Sequence, residues 1–126
     1  MSGVLAALLG SGDGSGGGGG DVIPGALSWT NIFGSLIGHT NLQIFTGITV
    51  PIAISAGLGG GSGTLHYALN GIGKVYTGAF NVSAGDSVMW SVGNITGSPV
   101  SGTVTVENLS DSGTVLDTFT YTVTGA

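Results

Sequence analysis

Two histidines, six carboxylates and a good supply of hydroxyls are the side chains of this sequence that could do chemistry. An imidazole can ligate a metal or move a proton, but it needs a second ligand or an orienting carboxylate within reach. His39 and His66 have no such neighbour at ligand spacing in the sequence. His66 lies between Leu65 and Tyr67, which puts it on the outer side of a strand whose other side is apolar. The carboxylates are Asp13, Asp21, Asp86, Glu107, Asp111 and Asp117, and no two form an evident acid–base pair. Asp86 follows Gly85 in a turn, where a carboxylate accepts backbone N–H bonds. Asp111 and Asp117 lack the regular oxygen spacing of a calcium loop. No serine stands in a Gly-x-Ser-x-Gly elbow. Asn81, Asn94 and Asn108 each open an Asn-x-Ser/Thr triplet, a match expected by chance in a chain so rich in hydroxyls. Tyr67 and Tyr121 alternate with core positions, which leaves Tyr76 as the tyrosine available for ligand contact. No cofactor, metal or catalytic residue is indicated, and a non-enzymatic role is expected.

Composition narrows the class further. The chain of 126 residues has 27 glycines, no cysteine, one basic residue (Lys74) and a net charge of −5. Nucleic-acid binding needs clustered Lys and Arg, and attraction to an anionic membrane needs the same. Neither partner fits. Without cysteine there are no disulfides, so the core or neighbouring subunits must hold the fold. A surface poor in Lys and Glu suits close packing against other protein, and a homo-oligomer is expected.

The elements that must position these residues are short strands. Thr64 to Val92 is the clearest stretch. Leu65, Tyr67 and Leu69 alternate with small or polar residues, Asn70-Gly71 is a hairpin signal, and Phe80/Val82 and Val88/Trp90/Val92 alternate again. Before it, Leu27, Trp29 and Ile32 suggest a first strand, Gly34 to Asn41 a loop holding His39, and Leu42 to Phe45 a short strand. Ile48 to Ala56 reads as a strand in which Pro51 implies an edge or a bulge. Gly57 to Gly63 and Gly93 to Gly102 read as loops, Thr103 to Glu107 and Val115 to Thr124 as strands, and Asn108 to Gly113 as a turn. Trp29, Tyr67, Phe80 and Trp90 belong to the expected core. Roughly eight or nine strands with frequent turns predict an all-β antiparallel sandwich.

Residues 1–20 differ from the rest. Val4 to Leu9 is apolar but far short of the roughly 20 residues needed to cross a bilayer, so membrane insertion is not expected. It lacks the basic flank of a signal peptide. Gly10 to Gly20, GSGDGSGGGGG, has the composition of a linker. The expected organisation is an arm over residues 1–20 and a sandwich over residues 21–126.

From Leu27 to Val123 the segments LSWTNI, TGITVPIAIS, LHYALNG and TGAFNVSAGDSVMWSV, with a closing DTFTYTVT, resemble the small immunoglobulin-like domains of tailed-bacteriophage virion proteins. Such domains decorate capsids, tails and fibres. The resemblance implies an immunoglobulin-like sandwich on the particle exterior and capsid, tail or baseplate proteins as partners. It also implies that the N-terminal arm is an anchor, with Val4, Leu5, Leu8 and Leu9 as its partner-binding residues. A host-receptor or carbohydrate-binding module at a tail tip is the alternative, with a surface glycan as ligand and Tyr76 as contact.

Overall fold

The computed structural model of the protein describes residues 20–59 and 62–125. Among them are ten strands: β1 (Ile32–Ser35), β2 (Ile37–His39), β3 (Gln43–Ile44), β4 (Ile52–Gly59), β5 (Thr64–Leu69), β6 (Ile72–Val75), β7 (Phe80–Val82), β8 (Ser87–Gly93), β9 (Val100–Asn108) and β10 (Thr114–Thr124). A 3-10 turn, Leu109–Asp111, joins β9 to β10. Period-two alternation builds the long strands. In β10, Phe119, Tyr121 and Val123 are buried while Thr118, Thr120, Thr122 and Thr124 are exposed. The β5–β6 hairpin closes on Asn70 (φ 52°) and Gly71 (φ 83°), the left-handed pair that a tight hairpin turn demands.

The hydrogen-bonded path runs β6-β5-β8-β2-β1-β10-β9-β4-β7, and β3 also pairs with β8. The path doubles over between β2 and β1, which share only the Ser35–Ile37 pair across Leu36. The result is two layers, β6-β5-β8-β2/β3 against β1-β10-β9-β4-β7. Their inner faces meet in one cluster that holds Val88, Trp90 and Val92 from the first layer and Val104, Val106, Phe119, Tyr121 and Val123 from the second. Trp29 sits at the seam, 5.9 Å from the Trp90 ring and 6.3 Å from Phe119. Its indole N–H donates to the Val88 carbonyl at 2.9 Å. Burying each such Val, Ile or Phe contributes about 1.5–3 kcal/mol. The chain is an all-β, immunoglobulin-like sandwich. One pairing is parallel, β1 with the end of β10, in a register running from Ile32 opposite Tyr121 to Ser35 opposite Thr124.

The local pattern placed several boundaries wrongly. Leu27 and Trp29 are buried as expected, yet the first strand begins only at Ile32. The backbone there is held by side chains instead of a ladder: Trp29 N–H donates to Asp117 Oδ2 (2.7 Å), Ser28 N–H to Gln43 Oε1 (3.0 Å) and Thr30 N–H to Asn41 Oδ1 (2.9 Å). Gly34 to Asn41 is not a loop, because β1 and β2 are recruited by β10 and β8. Pro51 lies just ahead of β4, where a missing N–H costs nothing, and β4 is an interior strand between β9 and β7. β4 and β9 also run further than their glycines suggested. Gly102 is a strand residue opposite Tyr121, and a Cβ there would come 2.5 Å from the Gly59 carbonyl oxygen and 2.8 Å from the Tyr121 hydroxyl, so glycine lets both approach.

Candidate binding surfaces

The residues singled out by type are, in the fold, mostly structural. Asp86 accepts from Asn70 Nδ2 (3.0 Å) and from Ser83 N–H (2.8 Å), which closes the turn into β8. Those two bonds, the Asn70 one foremost, hold its carboxyl below the ordinary aspartate range. Asp117 is committed to Trp29 N–H. Asn94 and Asn108 are 2% and 1% exposed, and the amide nitrogens to which a glycan would attach are engaged. Asn94 Nδ2 donates to the Val123 carbonyl (3.0 Å) and to the Ser98 carbonyl (2.8 Å), and Asn108 Nδ2 to the Val22 carbonyl (2.7 Å). Asn81, on β7, is exposed. Among the described residues no group of three His, Cys, Asp or Glu could hold a metal ion.

Tyr76 departs from its expected place. It is half-buried, with its ring 6.3 Å from Trp90, 6.4 Å from Tyr67 and 6.5 Å from Phe80. Its hydroxyl accepts from Ala56 N–H at 3.0 Å. Here the chain leaves β6 to cross toward β7, and the Tyr76 N–H bond to the Leu65 carbonyl turns the ring inward. It is therefore a packing residue and not an exposed platform. Tyr67 stacks on Phe80 with centroids 3.9 Å apart and planes at 4°. Val4, Leu5, Leu8 and Leu9, the expected anchor, lie outside the described residues.

Strand pairing creates a surface that the linear sequence hides. On the outer side of the first layer, His66 on β5 and His39 on β2 both lie opposite Ser91 on β8, and Val75 on β6 lies opposite His66. Val75, His66, Ser91 and His39 thus form one row across four strands. The two histidines are two strand spacings apart, about 10 Å. They line an open groove of about 400 Å³ together with Ile37, Lys74, Val75 and Met89. His66 Nδ1 is 3.2 Å from the Thr64 carbonyl, a contact only an N–H can make favourably. Alternation alone placed His66 outward, but only the β2–β8–β5 pairing brings His39 beside it.

The outer side of the second layer is different. Phe33, Thr122 and Ser101 form one row, Thr120, Thr103 and Gly59 the next, and Thr118, Thr105 and Gly57 a third. These residues are uncharged, and the next row on the same face, Val115, Glu107 and Ser55, carries the carboxylate of Glu107. Phe33 stands at the β1 margin of this face with 72% of its surface exposed.

No protein-family model matches the chain, and no curated protein does. A solved structure described as the N-terminal domain of PorA is similar at 16% identity over 78% of this chain and 84% of that chain, with a TM-score of 0.35. A likeness that distant carries no argument about role. No helix among the described residues is long and apolar enough to cross a membrane.

Proposed function

We propose that this chain is a non-enzymatic structural subunit of a bacteriophage virion, carried on the particle exterior and docked on capsid, tail or baseplate proteins through its N-terminal arm. The observation that carries the reading is the Thr/Ser/Gly-rich face of β1-β10-β9-β4, which carries Glu107 toward one end and Phe33 exposed at its margin. Such a sparsely charged face has little to desolvate, so it suits packing against protein. The resemblance of the strand segments to immunoglobulin-like virion domains supports the same role. The apolar tip, Val4 to Leu9, supplies area to bury at about 25 cal/mol per Å². The glycine tract after it gives that tip reach. In a symmetric particle, many copies turn a modest contact into avidity.

The test is incorporation. The full chain and a chain lacking residues 1–20 are produced during growth of the phage that encodes them, and particles are purified. The full chain is expected in the particles and the truncated chain reduced at least tenfold. Undiminished incorporation of the truncated chain would contradict docking through the arm.

A further inference from the structure

We propose that the outer face of the β6-β5-β8-β2/β3 layer pairs with the same face of a second copy of this chain, across a twofold axis that lies in the interface and runs along the strands. The inference does not rest on the virion reading, since it concerns the domain alone.

The first observation is charge. Strand register fixes what this face carries: Gly73, Ala68 and Met89 form one row, Val75, His66, Ser91 and His39 the next, and Thr64, Gly93 and Ile37 a third. No Asp, Glu, Lys or Arg stands in these rows. Lys74 lies opposite buried Tyr67 and so belongs to the other side of the sheet. Asp86, at the turn into β8, is tied to Asn70 and Ser83. Two copies of a chain with net charge −5 repel each other, and a face without carboxylates lets them meet at least cost.

The second observation is relief, and it names the partner. Along β6 and β5 the face is low: Gly73 and Ala68 lie side by side, and a Cβ at Gly71 or Gly73 would meet nothing within 4 Å. These small residues line the open groove of about 400 Å³. Across β8 the face stands high. Ile37, opposite Gly93, is 45% exposed, and Ile44, opposite Ser87, is 54% exposed. A twofold axis along the strands exchanges the two sides of the face. It lays the Ile37–Ile44 ridge of one copy over the small-residue strip of the other, and the same contact forms twice. An axis across the strands would set ridge on ridge. A face that is low on one side and high on the other thus complements itself.

Area sets the strength. Four strands about 4.8 Å apart, along the seven residues of β8 at about 3.3 Å each, give a footprint of about 19 by 23 Å. Counted over both copies this is about 900 Å², the class of weak, transient interfaces, so the dissociation constant should be on the order of 0.1 mM.

The experiment is sedimentation equilibrium of the full chain at neutral pH, from about 10 µM to about 1 mM, with amide NMR shifts recorded over the same series. A monomer–dimer equilibrium is expected, with concentration-dependent shifts at Ile37, Ala68, Gly73 and Ser91. Gly73→Leu fills the strip without meeting its own chain, and it should weaken the dimer at least tenfold. Ile44→Asp should do the same from the ridge. Core signals should keep their positions in both variants. Phe33→Ser, on the opposite face, should leave the dimer unchanged. Lowering the pH to about 5 should weaken it at least tenfold, because His39 and His66 of both copies, the titratable groups of this face, then take up protons. A chain that stays monomeric throughout would overturn the proposal. So would a dimer that survives both Gly73→Leu and Ile44→Asp, as association through the arm would, or one that is equally tight in acid. Shifts confined to other surfaces would overturn it as well.

Discussion

Asp86 shows how a carboxylate in this protein acts on folding. Bonds from Asn70 Nδ2 and Ser83 N–H hold its pKa below the ordinary value. A depressed folded-state pKa means that the stabilisation is present above the unfolded-state value and is lost as pH falls through the folded-state value. Asp86→Asn should therefore lower stability at pH 7, by at most about 1 kcal/mol because the site is solvent-accessible. The difference from the parent should close as pH falls below the folded-state value of Asp86, in the acid region under the ordinary aspartate range. Urea denaturation at neutral and acid pH measures both, and a gap that persists unchanged into acid would refute the assignment. Asp86 was legible in part, because Ser83 lies in the same short turn, whereas Asn70 stands 16 residues back in the β5–β6 turn. Tyr76 was not, because its surroundings, Trp90, Phe80 and the Ala56 N–H, come from three other parts of the chain.

Among the elements, the legible ones were those that alternate over many residues. β5, β8 and β10 could be placed from their own sequences, since each presents a buried set at every second position. The short strands β1 and β2 could not. Their glycines read locally as breakers, and their ladder partners, β10 and β8, lie far along the chain. The same distance hid the groove: His39 and His66 are neighbours of one serine only once β2 and β5 flank β8. β1 also carries the element-level prediction. Ile32 points inward and is fully buried, whereas Phe33 points out beside Thr122. Phe33→Ser should leave folding stability within about 0.5 kcal/mol of the parent, as exposed substitutions do. It should nevertheless cut incorporation into particles severalfold if this face packs against a neighbour. Thermal denaturation and particle composition check the two halves separately. A large loss of stability, or no loss of incorporation, would remove the face from the account.

At the scale of the whole molecule, the two outer faces divide the work. One is sparsely charged and threonine-rich, with an exposed aromatic at its margin. The other carries His39 and His66 on either side of Ser91 along an open groove. The sandwich core holds both faces rigid, with Trp29, Trp90 and Phe119 joining the layers. In this account the first face and the arm over residues 1–20 fix the domain in an assembly, and the groove face meets a second copy. Composition and alternation conveyed the class of fold, while the assignment of faces required the strand order. The central proposal, that the chain is a structural part of a phage particle, is tested most directly by quantitative mass spectrometry of the purified particles in which that proposal places it. The account predicts the chain at a fixed, symmetry-compatible number of copies per particle, retained through density-gradient banding. Its absence from banded particles, with the protein found only in the soluble lysate, would contradict the account.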